Sequence, residues 1–140
     1  TTEVAREYVA ERGLSDRVEA RVVDFYAEDS IHLDPPADVL LISQVLHAEG
    51  EEENRALLRK VLPTVRPGGW VAIVENPVDE DRASPVPGAM FAVNMLASTE
   101  RGRTYTEAEM AGWLDEAGFD PRPGELVAPR TLLILAQRPR

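Results

Sequence analysis

The sequence contains no cysteine. That excludes disulfides and thiolate metal sites, and it suits a reducing cytoplasm, which is the expected location. Lysine is nearly absent: Lys60 stands alone among fifteen basic residues, and 25 acidic residues bring the formal net charge to −10. A nucleic-acid backbone is gripped by basic patches, so nucleic acid is not an expected partner. No apolar run reaches the ~18 residues of a membrane span, so no membrane is expected either. The chain opens on a polar, helix-like segment with no signal-peptide pattern. There is no internal repeat and no low-complexity segment.

What is present is ordinary for one globular domain. Across 140 residues the hydrophobic content is 44% and the charged content 29%. A chain of this length buries roughly two thirds of its unfolded surface. The spacing of Val4, Ala5, Tyr8 and Val9 predicts a helix over 1–12, ended by Gly13 in a left-handed conformation. Val18 to Phe25 alternates apolar and polar residues, as a strand with one wet face does. Val39 to Ile42 is a continuous branched apolar run, the mark of a strand buried on both faces of a parallel sheet. Glu51 to Leu62 reads as a helix whose acidic first turn suits the helix dipole.

Pro67-Gly68-Gly69 reads as a tight turn, Trp70 to Val74 as a second buried strand, and Gly88 to Ser98 as a helix. Thr106 and Glu109 form a capping box that opens a helix ending at Gly118. Arg122 to Val127 and Thr131 to Gln137 read as an antiparallel strand pair turning at Pro129. Alternating helices and strands define an α/β fold with helices against a mostly parallel sheet.

In such sheets ligands bind beyond the carboxyl ends of the strands. His47 stands there, just past the central strand. A lone histidine after a strand is more often a solvated or helix-capping residue. Glu75 ends the next strand and Asp24 the earlier one; the first could be a polar strand end and the second a loop cap. Phe25, Met95 and Trp113 read as core residues. His32 and Asp34 lie close in sequence, but two loop residues do not make a metal site.

Five segments in order carry a resemblance. They are Val23-Asp24-Phe25, Asp38 through His47, Leu57-Leu58-Arg59-Lys60-Val61, Arg66-Pro67-Gly68-Gly69-Trp70 through Glu75, and Glu116-Ala117-Gly118-Phe119. Together they resemble the catalytic domain of S-adenosylmethionine-dependent O-methyltransferases, of the small-molecule type of plants and bacterial natural-product pathways. The resemblance implies a Rossmann-like class I methyltransferase sheet and a hydroxylated small-molecule acceptor, aromatic or of natural-product type. It also implies S-adenosylmethionine as methyl donor, no metal, and a homodimeric parent protein. It makes His47 the general base and Glu75 the carboxylate that orients it. It sets Asp24 on the adenine amine with Phe25 against the ring, Ser43 near the methionine part of the cofactor, and Met95 against the acceptor ring.

The pattern also departs from that family. Ala48-Glu49 follows His47 where Asp-Trp is usual. Arg103 to Thr106 carries no acid where a second glutamate commonly flanks the histidine. No Gly-x-Gly occurs, so the family's phosphate-loop equivalent and its first strands are not in these residues. The resemblance thus implies residues 1–140 as a partial catalytic domain, the C-terminal portion, expected by itself to bind S-adenosylmethionine weakly and to transfer no methyl group. Between the strands ending at Asp24 and His47 it implies a gap of three strand spacings, about 14 Å. The competing expectations are a non-catalytic fragment or interaction module, and an α/β domain for another nucleotide.

Overall fold

Residues 1–24 and 31–140 are described by the computed structural model. The chain opens with α1 (Thr2–Glu11), which ends at Arg12, and Gly13 takes the expected left-handed conformation. No residue of α1 is buried, so its apolar stripe is not packed as the periodicity predicts. The segment that follows is a correction. Residues 18–24 form no strand, and Val22 is 77% exposed. Alternation suits a pleated ribbon, but a strand exists only where a neighbour takes up its backbone groups. Here Arg6 Nε donates to the Ala20 carbonyl at 3.1 Å and the Val18 N–H to the Leu14 carbonyl at 2.9 Å, and no ladder forms.

The sheet begins at β1 (Ala37–Ser43) and continues through β2 (Val65–Glu75), β3 (Asp120–Pro121), β4 (Glu125–Ala128) and β5 (Thr131–Gln137). Its order is β1-β2-β5-β3, with β4 also pairing β5. The β1–β2 pair is parallel, as the intervening α2 (Glu51–Val61) requires, and β5 runs antiparallel to its neighbours. The Pro67-Gly68-Gly69 turn lies inside β2 as a bulge: Ala37 faces Val65, while Val39 faces Trp70. Two further helices, α3 (Val86–Ser98) and α4 (Glu107–Glu116), complete the fold.

The core lies between one face of the sheet and the pair α2 and α4. Leu57, Leu58 and Val61 of α2 and Met110, Trp113 and Leu114 of α4 pack on Val71, Ile73, Ile134 and Ala136. Tyr105 meets Trp113 edge-on, with ring centroids 4.7 Å apart. The opposite face is a second correction. Val39 and Leu41 are 59% and 62% exposed, so the apolar run of β1 is buried on one face, not both. Leu40 and Ile42, on the other face of β1, pack with the core built on α2 and α4.

The capping box of α4 forms as expected. Thr106 Oγ1 accepts from the Glu109 N–H, and Glu109 Oε2 accepts from the Thr106 N–H at 2.8 Å. Partial burial alone would raise the Glu109 pKa. The hydrogen bonds from Arg82 and Thr106, with the charges of Arg82 and Arg103, outweigh it and hold the carboxyl below its ordinary 4.5. A depressed folded value stabilises above the unfolded pKa, and that stability is lost as pH falls through the folded value. We expect Glu109→Gln to cost about 0.5 kcal/mol at pH 7, as a screened surface pair does. Thermal melts should show the gap to wild type closing as pH is taken below 4.5; a gap constant down to acid pH would refute the charge effect.

Candidate active site

The parallel register sets the ends of β1 and β2 side by side, with Ser43 against Val74. The next residue, Gln44, takes a positive φ of 56°. A non-glycine residue in the left-handed region is strained, and such strain collects where a chain must be re-aimed. Three bonds hold Gln44 there. Its N–H and its Nε2 both donate to the Val74 carbonyl, at 3.0 and 3.3 Å, and its Oε1 accepts from Asn76 Nδ2 at 2.7 Å.

The sharp turn delivers the next three residues to Glu75. One carboxylate oxygen, Oε1, accepts from the Val45 and Leu46 N–H groups at 2.9 and 2.8 Å. The other, Oε2, lies 2.8 Å from His47 Nδ1. Glu75 is 3% exposed. A buried carboxylate is tolerable only when its lone pairs are taken up, and these donors do that. The contact assigns Nδ1 as the protonated nitrogen, because an ionised carboxylate can only accept. Nε2 then carries the lone pair. The ring is fixed from a second side by Phe91, edge-on with centroids 4.8 Å apart. A partly buried imidazole with a settled tautomer and an unprotonated Nε2 can take a proton from a nearby hydroxyl.

Gly102 closes the back of this turn. A methyl group built on it would overlap the His47 carbonyl oxygen and Thr99 Oγ1, and lie 3.0 Å from the Ala48 carbonyl carbon. Two of these are backbone atoms that cannot rotate aside. Gly102→Ala is therefore expected to push the His47 turn outward and lower turnover by about 10- to 100-fold, since displacements near 1 Å at a reacting group cost that much. Wild-type turnover in this variant, measured by steady-state kinetics, would show that the close packing does not position His47.

Beyond Asn76 a cavity of about 300 Å³ opens between the Pro77–Pro87 loop and α3. Pro77, Pro87, Met90 and Phe91 give it apolar walls, with Asn76, Asn94 and the Arg130 guanidinium as polar groups. Phe91 links the two features: it lines the cavity and meets the His47 ring, which is not itself part of the lining.

Of the residues expected to form the site, the fold brings His47 and Glu75 into direct contact. Ser43 is exposed at the end of β1, and Asp24 is exposed on the segment that forms no strand. Phe25 lies outside the described residues. Met95 is 8% exposed and does not line the cavity; its α3 neighbours Phe91 and Asn94 do. Where a second flanking acid is absent, Thr104 is buried. The strain at Gln44, the ring contact of Phe91 and the packing of Gly102 were not anticipated. The polar residues at 43 and 44, after a long apolar run, were the one signal for the first. Among the described residues no group of three or more His, Asp or Glu could hold a metal, and no helix is long and apolar enough to cross a membrane.

The mixed α/β sheet is that of class I methyltransferases. The family model for the O-methyltransferase domain matches residues 2–120, and the chain belongs to that family. It is 38% identical over 115 residues to a 3-hydroxy-5-methyl-1-naphthoate 3-O-methyltransferase of Streptomyces sahachiroi, a match covering 82% of this chain and 32% of that protein. Among solved structures it superposes on an O-methyltransferase family 2 protein of Planctomyces limnophilus in complex with apigenin. There the TM-score is 0.85 and the identity 26%, over 97% of this chain and 39% of the other. Human N-acetylserotonin methyltransferase, solved with S-adenosylmethionine, gives 0.79 and 26%, over 95% and 38%. The chain thus spans about a third of the length of the curated relatives it matches.

Proposed function

We propose that this chain supplies the acceptor-activating part of an S-adenosylmethionine-dependent O-methyltransferase, with His47 as general base toward the hydroxyl of a small aromatic or natural-product acceptor. The observation that carries this reading is the 2.8 Å contact between His47 Nδ1 and the buried Glu75 carboxylate, which leaves Nε2 as the proton acceptor. The cavity beside Phe91 suits a flat aromatic acceptor bearing polar groups, and the relatives' naphthoate and apigenin are of that kind.

Of the residues expected to hold the cofactor, Ser43 is exposed at the carboxyl end of β1, where its hydroxyl can accept from an ammonium, and the exposed Asp24 carboxylate is a suitable acceptor for an adenine amine. When bound, S-adenosylmethionine supplies a methyl group on a cationic sulfonium. This chain's own work is to hold the acceptor in the cavity and to take its hydroxyl proton at His47 Nε2. The resulting imidazolium is stabilised by Glu75. Alignment supplies most of the rate, and a positioned base typically adds ~10²–10⁴-fold.

The test is transfer of a labelled methyl group to a panel of hydroxylated aromatics, by a protein carrying this chain together with a cofactor cradle. Label appearing as an aryl methyl ether is the expected result; label on carbon or nitrogen, or none, would overturn the proposal. A non-catalytic interaction module is the second reading, favoured by the exposed side chains of Val39 and Leu41. Thermal stabilisation by S-adenosylhomocysteine separates the two, because only a cofactor-binding protein gains it.

A further inference from the structure

Asn54 is fully buried in the first turns of α2 and lies behind the His47 turn. Its Nδ2 donates to the Leu46 carbonyl at 2.9 Å. That carbonyl belongs to the peptide joining Leu46 to His47. The N–H of the same Leu46 donates to Glu75 Oε1, and His47 Nδ1 lies on Glu75 Oε2. The residue before the histidine is therefore clamped at both its backbone groups: by Glu75 from β2 and by Asn54 from α2. The amide orientation follows from chemistry, since only the NH₂ end can face a carbonyl oxygen.

Asn54 Oδ1 is the one buried side-chain oxygen or nitrogen without a hydrogen-bond partner among the described residues. An unpaired buried acceptor costs stability. An apolar residue of similar volume would remove that cost, and the Leu46 carbonyl would still accept from the Glu49 N–H at 3.2 Å. Stability alone therefore gives little reason for an amide in this position. We infer that Asn54 is a positioning residue: it fixes the Leu46–His47 peptide so that the imidazole stays on Glu75 with Nδ1 protonated and Nε2 bare. The consequence for turnover rests on the reading of His47 as base, but the effect on the imidazole does not.

The two parts can be tested apart. The sequence has two histidines, and His32 is exposed, so it serves as an internal reference in long-range ¹H–¹⁵N spectra. In the wild type, His47 is expected to show one neutral tautomer, protonated at Nδ1. In Asn54→Leu, which keeps the volume and removes the donor, its two nitrogen shifts should move toward the averaged values of a free imidazole. In parallel, kcat should fall about 10-fold with KM little changed, the usual size of effect for a residue supporting a site group. If the leucine variant does not fold, Asn54→Met removes the same donor with a more adaptable side chain. A single Nδ1–H tautomer retained in the folded variant, whatever its melting temperature, would overturn the inference, as would averaged tautomers in the wild type. An averaged tautomer with unchanged kcat would uphold the positioning of the ring and reject His47 as base.

Discussion

His47→Ala is expected to lower turnover by about 100-fold or more in a methyltransferase carrying this chain, with cofactor affinity little changed. The size follows from what is removed. Orientation of acceptor and methyl donor survives the substitution, and so does most of the rate acceleration. What disappears is a proton acceptor whose ring is held by Glu75 at 2.8 Å and braced by Phe91 at 4.8 Å. Alanine leaves the Glu75 interactions with Val45 and Leu46 intact, so the turn should persist. A melting temperature near that of wild type, together with the kinetic loss, would locate the effect in chemistry. Unaltered turnover would sink the assignment.

Glu75→Gln is expected to be nearly as damaging to turnover, about 100-fold, through a different route. The amide has one oxygen, and the Val45 and Leu46 N–H groups both need it. Its NH₂ then faces His47 Nδ1 and donates to it. That inverts the tautomer, leaving the proton on Nε2, where the lone pair is required. Misassigning the tautomer of a catalytic histidine in this manner is known to be costly even with geometry intact. The charge that stabilises an imidazolium is lost as well. Steady-state kinetics of Glu75→Gln checks this: full activity would return Glu75 to the role of a polar strand end.

The parts of the fold carried by local pattern were legible in the residues. The apolar runs of β1 and β2, the acidic opening of α2 and the capping box at Thr106 each state a period or a terminus. The pairing of His47 with Glu75 was implied by the family resemblance, and the parallel register of β1 and β2 accounts for it. What depends on neighbours distant in sequence was not legible. Val18 to Phe25 has the alternation of a strand, but alternation says nothing about whether a partner lies alongside. Val39 and Leu41 read as buried on composition alone, whereas burial is decided by what packs against them. Gln44 is left-handed because the chain must turn onto Glu75, and nothing in a glutamine announces that. Asn54, Phe91 and Gly102 reach the site from α2, from α3 and from the loop preceding α4. Their roles come from the approach of these elements, not from any spacing along the chain.

The central claim is that His47 removes the acceptor's proton, and an acceptor that has already lost it provides the most direct measurement. Two hydroxylated aromatics of similar shape can be compared, one an ordinary phenol and one acidified by a nitro group so that it is ionised at the assay pH. With the ordinary phenol, His47→Ala should lose about 100-fold in turnover, the lower range of what a positioned base contributes. With the ionised phenol there is no proton to remove, and the variant should approach the wild-type rate. An equal loss with both acceptors would contradict the account, because it would mean that His47 holds the acceptor or the fold and does not serve as the base.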